Sequence, residues 1–434
     1  MPYATRGIPP EHAYVSAIEV RPCSLLRPVG QVCLAGVVER RFPERASERP
    51  LPRQVFISCT SDRLYGEDCM RILYVVNGFD RGGAEHGFLT LVENGAFEDH
   101  DLRVLAFCRG RGDLADLITA RLGKRAQFVT NGDTLTFWAC SAGFLRILRT
   151  SFAFRPQKMV LSLKQANVVG RSAAMLMPRL TCVAFEHTAD YRARRFQGLY
   201  GPLLRLLSGR VDEVWADSAE TLEKTRRYFL PRRREGHVIP VFVATGHGPF
   251  KTEYGLKSGV RLAVAGRLVP GKNLALLIEA MVQLRVDNVD VMIDVYGEGP
   301  ERQALEALLV ERGLQDHVNL HGYRADWVRQ AMEADIFVNL SEAEGFCIVV
   351  AEAMLAGLPV IAVDVGGIRD YGRDGVNMLK LPAPDVQGTR AAILRLMDDP
   401  PLRERLGRQA RVDMLHGYDA VACRQQVAEA LSPS

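Results

Sequence analysis

Two kinds of hydrophobic pattern alternate along the chain from residue 71 onward. Short runs of consecutive apolar residues predict strands buried on both faces, and stretches with apolar residues every three or four positions predict amphipathic helices. In the first half the predicted strands are 72–76, 103–108, 159–162, 182–186 and 213–216. The predicted helices between them are 114–122, 166–176 and 219–228.

The second half repeats this alternation. Its predicted strands are 260–265, 289–296, 318–321, 336–338 and 360–363, and its predicted helices are 274–284, 301–312, 347–356 and 419–431. Strands that alternate with helices form parallel sheets with helices on both faces. The chain is therefore expected to be an α/β protein, and its 434 residues suffice for two or three domains.

The segment 339–367 contains two acids eight residues apart, Glu344 in a turn and Glu352 in the following helix. Ligands of parallel sheets bind beyond the carboxyl ends of the strands. At the start of this helix the free amides of Phe346, Cys347 and Ile348 can receive a phosphate. Glu352 could accept hydrogen bonds from sugar hydroxyls. Alternatively, Glu344 is a solvated loop acid and Glu352 is a polar residue on an amphipathic helix.

Basic residues follow the strand 260–265. Arg267 and Lys272 lie five apart in the loop that leaves this strand, where the two side chains can converge on a diphosphate and neutralise its charge. Either one alone is commonly a surface charge.

These motifs occur in a specific order: Gly266-Arg267 with Lys272, then Gly297-Glu298-Gly299-Pro300, then the Glu344–Glu352 segment. The set resembles the retaining family 4 glycosyltransferases (glycosyl transferases group 1), and the resemblance covers most of residues 70–420. It implies the GT-B fold, in which two doubly wound Rossmann-like domains face each other across a cleft and a C-terminal helix crosses back to the first domain.

The resemblance also implies roles for individual residues. Glu344 would face the transferred sugar and Glu352 would hold the ribose hydroxyls. Arg267 and Lys272 would stabilise the leaving diphosphate, so no metal and no cofactor are expected beyond the nucleotide-diphosphate sugar donor.

Four further positions follow from the family pattern. The loop at Gly83 would lie near the donor phosphate and the acceptor, His187 would face the donor sugar, and the loops at Gly297 and Arg324 would border the nucleotide. A turn or a structural histidine is the ordinary explanation of such residues. Val241-Phe242 departs from the family, which has an asparagine-glycine turn there, so any contact made by that turn is in doubt.

Composition excludes several classes of protein. The net charge of +4 gives no global signal for nucleic acid. Nine cysteines without a CxxC pair favour free thiols in a reducing cytosol over disulfides or a metal site. No transmembrane helix is expected, because the apolar run 347–363 is short and contains Glu352 and Pro359.

A basic stretch raises the question of a membrane surface. Arginines at 192, 194, 195, 205 and 210 surround the apolar residues 199–207, and 232–234 are basic as well. A solvated helix face is one interpretation. Peripheral contact with anionic lipid at the inner face of the membrane is the other, and it would suit a glycan or lipid-linked acceptor.

Residues 1–69 differ from the rest of the chain. They hold eight of the 22 prolines and four of the nine cysteines, without sustained periodicity. We expect either a non-native extension before a start at Met70 or a disordered arm. The predicted divisions are then 1–69, an acceptor domain at 70–245, a linker at 246–258, a nucleotide-sugar domain at 259–417 and a returning helix at 418–434.

Two other functions fit the same fold. A nucleotide-sugar epimerase would need additional acid/base carboxylates in the cleft. A catalytically silent sugar-nucleotide-binding protein would bind donor without turnover, against which the intact set of Arg267, Lys272, Glu344 and Glu352 argues.

Deletion of residues 1–69 tests the predicted start. If the fold begins at Met70, the melting temperature should change by only a few degrees, because less than about 1 kcal/mol is removed. Donor turnover should persist, since every predicted site residue follows residue 69. A large loss of either, in thermal unfolding and donor assays of both chains, would show that the arm belongs to the folded enzyme.

Overall fold

The described residues build two parallel sheets. A computed structural model describes residues 69–80, 82–188, 200–229, 235–256 and 259–432. These residues fall within one compact unit, Arg63–Ser434. Its strands form a seven-stranded sheet from the first half of the chain and a six-stranded sheet from the second half.

The first sheet has the strand order β3-β2-β1-β4-β5-β6-β7, with all neighbours parallel. Its strands are β1 (Arg71–Val76), β2 (Asp101–Ala106), β3 (Ala126–Phe128), β4 (Lys158–Ser162), β5 (Thr181–Glu186), β6 (Glu213–Ala216) and β7 (Glu235–Val238). The helices are α1 (Gly83–Glu93), α2 (Leu114–Leu122), α3 (Phe137–Phe154), α4 (Lys164–Ala174), α5 (Tyr200–Leu206) and α6 (Ala219–Phe229).

The second sheet has the order β10-β9-β8-β11-β12-β13, again parallel. Its strands are β8 (Val260–Ala265), β9 (Val291–Tyr296), β10 (Val318–Gly322), β11 (Ile336–Asn339), β12 (Val360–Val363) and β13 (Leu379–Leu381). The helices are α7 (Leu274–Val286), α8 (Arg302–Arg312), α9 (Trp327–Gln330), α10 (Ile348–Leu355), α11 (Ile368–Tyr371), α12 (Val386–Asp398), α13 (Pro400–Gly417) and α14 (Ala420–Leu431).

Both sheets reverse their strand order near the middle. The reversal lies between β1 and β4 in the first sheet and between β8 and β11 in the second. At such a point the connections on either side run to opposite faces, which leaves a crevice at the carboxyl ends of the strands. The loops after β1, β8 and β11 therefore border the two crevices. The loops after β8 and β11 contain Arg267, Lys272, Glu344, Phe346 and Cys347.

Helix α14 returns to the first sheet. The ammonium of Lys158, buried at the start of β4, pairs with Glu213 of β6 at 2.8 Å and donates to the Ala430 carbonyl at 2.8 Å. Arg424 of the same helix donates to the Asn94 carbonyl at 2.7 Å. The buried Lys158 ammonium thus links strands β4 and β6 to the last turn of helix α14.

The predicted fold class is confirmed, including the returning helix. Strand β6, helix α2 and strand β8 have the predicted bounds, whereas α10 begins at Ile348, one residue later than expected. Residues 246–256 contain no helix or strand, but the Lys251 amide donates to Ala356 and the Tyr254 hydroxyl to Gly357, so this stretch packs on the second domain.

The basic stretch is described only in part. Residues 192, 194, 195 and 232–234, like the arm before residue 69, lie outside the described residues. Arg205 donates to the Tyr228 carbonyl, and Arg210 donates to the carbonyls of Ala174, Met177 and Leu180. Arg210 therefore stabilises the fold through these hydrogen bonds. In the described part of the chain, no helix is long and apolar enough to span a bilayer.

Replacing Lys158 by alanine should destabilise the protein strongly. The substitution leaves Glu213 buried without its partner, which costs about 3–5 kcal/mol, and it releases the end of α14. Chemical denaturation measures the cost. Arg312→Ala, which removes a half-exposed pair with Glu279, is the matched control and should cost about 0–1 kcal/mol. Equal effects of the two variants would contradict the anchoring role.

Candidate functional site

A close ion pair joins the two loops at the reversal point of the second sheet. The Lys272 ammonium, at the end of the short turn after β8, lies 2.6 Å from the Glu344 carboxylate in the loop after β11. Two contacts fix the loops to each other: the Asn273 side chain donates to the Leu340 carbonyl, and the Glu342 amide donates to Gly271. The structure thus brings together two residues predicted from motifs 72 positions apart.

The pair is held in its charged form. Burial disfavours the charge on Lys272, but the attraction of Glu344 outweighs it, and the pKa of Lys272 is raised. Burial likewise favours the neutral form of Glu344, yet the charge and hydrogen bond of Lys272 keep the pKa of Glu344 below its ordinary value. Both groups therefore remain ionised in the crevice, and the ammonium retains donors for a further anion.

The glycine-rich loop after β1 approaches this crevice from the first domain. A Cβ on Gly83 would lie 3.6 Å from Cδ1 of Ile348, the first residue of α10. The amino ends of α1 and α10 are thus close together. Each carries backbone amides without a helical partner and the positive end of a helix dipole.

Glu85, in the first turn of α1, is a buried acid beside this space. Its pKa is raised to about 7, chiefly by burial; the charge of Asp80 contributes to the rise, whereas Arg267 opposes it. Arg267 itself is exposed at the end of β8. An arginine of the second domain and an acid of the first therefore act on each other across the cleft.

The backbone before α10 has an unusual conformation. Cys347, the residue before the helix, has φ 65° and ψ 66°, the left-handed region that a residue with a side chain seldom adopts. The Tyr371 hydroxyl lies 3.1 Å from the carbonyl oxygens of both Phe346 and Cys347, and the Phe346 ring stacks on Phe242 at 5.9 Å. These contacts fix the two carbonyls and stabilise the strained turn.

Phe242 is the residue that departs from the family pattern. Its ring packs against Phe346 of the second domain and against Tyr418, which precedes α14. An aromatic packing contact therefore occupies the position at which the family has an asparagine-glycine turn.

Glu352 is bonded within the second domain. Its carboxylate accepts a hydrogen bond of 2.9 Å from the indole of Trp327, the first residue of α9. Burial raises the pKa of Glu352 to about 7, and the Trp327 hydrogen bond opposes that rise. Each carboxylate oxygen has two lone pairs. The hydrogen bond from Trp327 therefore orients Glu352 and leaves it able to accept further hydrogen bonds.

Gly297 and Arg324 lie in the loops after β9 and β10. A Cβ on Gly297 would lie 1.8 Å from the Gly266 carbonyl oxygen, so close backbone packing by itself requires glycine there. The Gly297 amide donates to the Gly322 carbonyl, which joins its loop to the loop containing Arg324. Arg324 is exposed, three residues before Trp327.

His187 follows β5 and belongs to a row of polar side chains at the carboxyl ends of β4, β5 and β6. Its Nε2 is 2.9 Å from the Ser162 hydroxyl, and its Nδ1 is 3.8 Å from the Asp217 carboxylate. Burial lowers the pKa of His187 to about 3 and raises that of Asp217 to about 7. His187 is therefore neutral at physiological pH and suited to hydrogen bonding.

Asp217 also contacts the second domain. A Cβ on Gly345 would lie 2.2 Å from its carboxylate oxygen, and the Phe346 amide is among the groups that lower its pKa. The expectation of a free amide at Phe346 therefore needs correction: this amide faces a carboxylate of the first domain.

Three further contacts join the two domains at the same edge of the cleft. Glu220 of α6 accepts from the Gly366 amide at 2.7 Å and from Arg369 at 3.1 Å. In the opposite direction, the Ala219 amide donates to Asp370 at 2.9 Å. Acids of each domain thus satisfy helix-start or turn amides of the other.

Sequence reasoning missed Glu85, Asp217 and Trp327. Asp217 could have been found, because it follows a buried strand just as His187 does. Trp327 offers no such signal, since its partner Glu352 is 25 positions away. Across the described residues, no group of three or more His, Cys, Asp or Glu side chains could hold a metal ion.

This architecture matches solved GT-B structures. The Anabaena protein HepE, solved with UDP and glucose, has a TM-score of 0.69 at 22% identity over 84% of this chain and 100% of that chain. Sucrose-phosphate synthase from Thermosynechococcus elongatus has a TM-score of 0.68 at 18% identity over 83% and 98%. The chain has the GT-B fold.

Sequence comparison relates the second domain to a known family. Residues 254–413 match the family described as glycosyl transferases group 1. Alpha-D-kanosaminyltransferase of Streptomyces kanamyceticus is 31% identical over 180 residues, 41% of this chain and 47% of that protein. N-acetyl-alpha-D-glucosaminyl L-malate synthase of Bacillus anthracis is 24% identical over 55% and 64%. The alignments thus span about half to under two thirds of these relatives.

Proposed function

We propose that the chain is a retaining, metal-independent glycosyltransferase of family 4 that moves a hexosyl group from a nucleotide-diphosphate sugar to a hydroxyl acceptor. The observation that carries the proposal is the charged Lys272–Glu344 pair at the strand reversal of a group 1 glycosyltransferase domain, with Arg267 in the same loop as Lys272. The acceptor is a glycan or a lipid-linked saccharide in cell-surface polysaccharide synthesis.

The leaving diphosphate would bind between the basic loop after β8 and the amino end of α10. As the bond to the sugar breaks, negative charge grows on the phosphate oxygens. Lys272, Arg267 and the amides of Cys347 and Ile348 are fixed positive groups that stabilise this charge without reorganising. Lys272 would bridge the phosphate and Glu344, and Glu344 would in turn lie beside the transferred sugar.

The acceptor would enter from the first domain, near Gly83 and His187. Because His187 is neutral, its role is to hydrogen-bond the sugar or the acceptor. Attack on the face from which the diphosphate departs, assisted by the leaving phosphate, gives retention without requiring an enzyme nucleophile.

A panel of donors tests the reaction. HepE was solved with UDP and glucose, and Staphylococcus aureus TarM was solved with UDP, so UDP-sugars are the first donors to screen, followed by GDP- and ADP-sugars. Acceptor-dependent release of the nucleoside diphosphate supports transfer. Conversion of the donor sugar without an acceptor would indicate an epimerase, and donor binding without turnover a silent binding protein.

Lys272→Ala should lower turnover by about 2–4 kcal/mol of transition-state stabilisation, the range for one preorganised charge partner. The fold should survive, because Lys272 lies in a loop, but stability should fall because Glu344 loses its partner. Steady-state kinetics at saturating donor measure the effect, with Arg312→Ala as a surface control. Wild-type turnover in Lys272→Ala would rule out the diphosphate assignment.

Glu352→Gln should weaken donor affinity by about 1–3 kcal/mol, because an amide is a poorer acceptor for ribose hydroxyls than a carboxylate. Turnover at saturating donor should change less. Titration calorimetry with the free nucleotide separates the two interpretations of Glu352. If the nucleotide affinity of Glu352→Gln is unchanged, Glu352 does not bind the ribose and only its hydrogen bond with Trp327 remains.

A further inference from the structure

Helix α3 of the first domain is apolar on both sides. Its inner face packs on the first sheet through Ala139, Gly143 and Ile147, and a Cβ on Gly143 would lie 2.7 Å from the Phe107 ring. Its outer face carries large side chains in solvent: Phe137 is 78%, Trp138 79%, Leu145 56% and Phe152 70% exposed. The inner contacts explain why the helix forms, but they leave the outer face without a structural role.

The exposed side chains form a continuous stripe. Trp138, Leu145 and Phe152 are each seven residues apart, which places them on one line along the helix. Helix α3 has 18 residues, a length of about 27 Å. Single exposed apolar residues are common, but an aligned set of this size marks an interaction surface.

The charges on this helix are of one sign. Residues 137–154 contain Arg146 and Arg149, both exposed, and no Asp or Glu. Arg149 lies within the stripe, between Leu145 and Phe152, and Arg146 lies beside it. An amphipathic surface with aromatic residues and arginines, and without acids, complements anionic lipid headgroups above an apolar layer.

A second copy of the chain fits this surface less well. A two-fold axis near Leu145 would lie about 6 Å along the helix from Arg149, so the two Arg149 side chains would be about 12 Å apart and both copies would bring only positive charge to the contact. A bilayer surface avoids that cost because it supplies negative charge.

We propose that the outer face of α3, defined by Phe137, Trp138, Leu145, Arg146, Arg149 and Phe152, docks the enzyme on an anionic lipid surface. In a parallel βαβ unit the helix runs opposite to the strands, so Phe137 and Trp138 lie toward the carboxyl ends of the first sheet. That end borders the cleft. Docking would therefore place the acceptor side of the cleft next to the membrane, where a lipid-linked acceptor would be found.

Intrinsic fluorescence gives a direct readout. The chain has three tryptophans, of which Trp215 and Trp327 are buried and Trp138 is exposed. Vesicles of phosphatidylglycerol and phosphatidylcholine should shift the emission of the full chain to the blue, and pure phosphatidylcholine should shift it far less. Trp138→Phe should abolish the shift while co-sedimentation with the vesicles persists.

Paired variants separate the two components of binding. Arg146→Ala with Arg149→Ala should weaken co-sedimentation roughly 30-fold, about fivefold per arginine, and added salt should weaken binding of the parent chain. Leu145→Ser with Phe152→Ser should reduce binding at every salt concentration. Both pairs are already in solvent, so circular dichroism should be unchanged. Val310→Ser and Arg405→Ala, exposed on the second domain, are the matched controls.

Vesicle binding is measured without donor or acceptor, so its outcome is independent of the proposed transfer reaction. Absence of binding to phosphatidylglycerol vesicles would overturn the docking proposal, as would binding that the α3 variants and the controls change equally. A concentration-dependent dimer that dissociates in Leu145→Ser with Phe152→Ser would assign the surface to self-association instead.

Discussion

Backbone amides at the starts of helices have no partner within their helix, and the architecture of this protein depends on how they are satisfied. In a doubly wound sheet these amides collect at the carboxyl ends of the strands. Here the two sheets present them to a shared cleft. Acids satisfy some of them across the cleft, as Glu220 does for Gly366 and Asp370 for Ala219. The amino ends of α1 and α10 approach each other, since a Cβ on Gly83 would lie 3.6 Å from the side chain of Ile348.

The charged side chains of the cleft also depend on nearby partners. Lys272 and Glu344 keep each other ionised against the cost of burial. By contrast, burial raises the pKa of Glu85, Asp217 and Glu352 to about 7. The cleft therefore combines one firmly ionised pair with acids that titrate near neutrality.

Much of the fold could be predicted because strands buried on both faces leave continuous apolar runs. The predicted first and last residues of strand β6 and helix α2 are the observed ones. Helix α3 was not predicted, since its outer face is as apolar as its inner face and the amphipathic period is hidden. In the site, Lys272 and Glu344 could each be selected from motif order, but their ion pair was not predicted. The hydrogen bond between Trp327 and Glu352 could not be predicted, because it depends on how the loop after β10 folds over α10.

A crystal structure of the chain with a bound nucleoside diphosphate would be the most direct test of the proposed donor site. We expect the diphosphate to lie against Lys272 and Arg267 at the amino end of α10, with the ribose hydroxyls within hydrogen-bonding distance of Glu352. Lys272 should then contact both a phosphate oxygen and Glu344. A nucleotide bound on the first domain, or one whose phosphates leave the Lys272–Glu344 pair untouched, would contradict it.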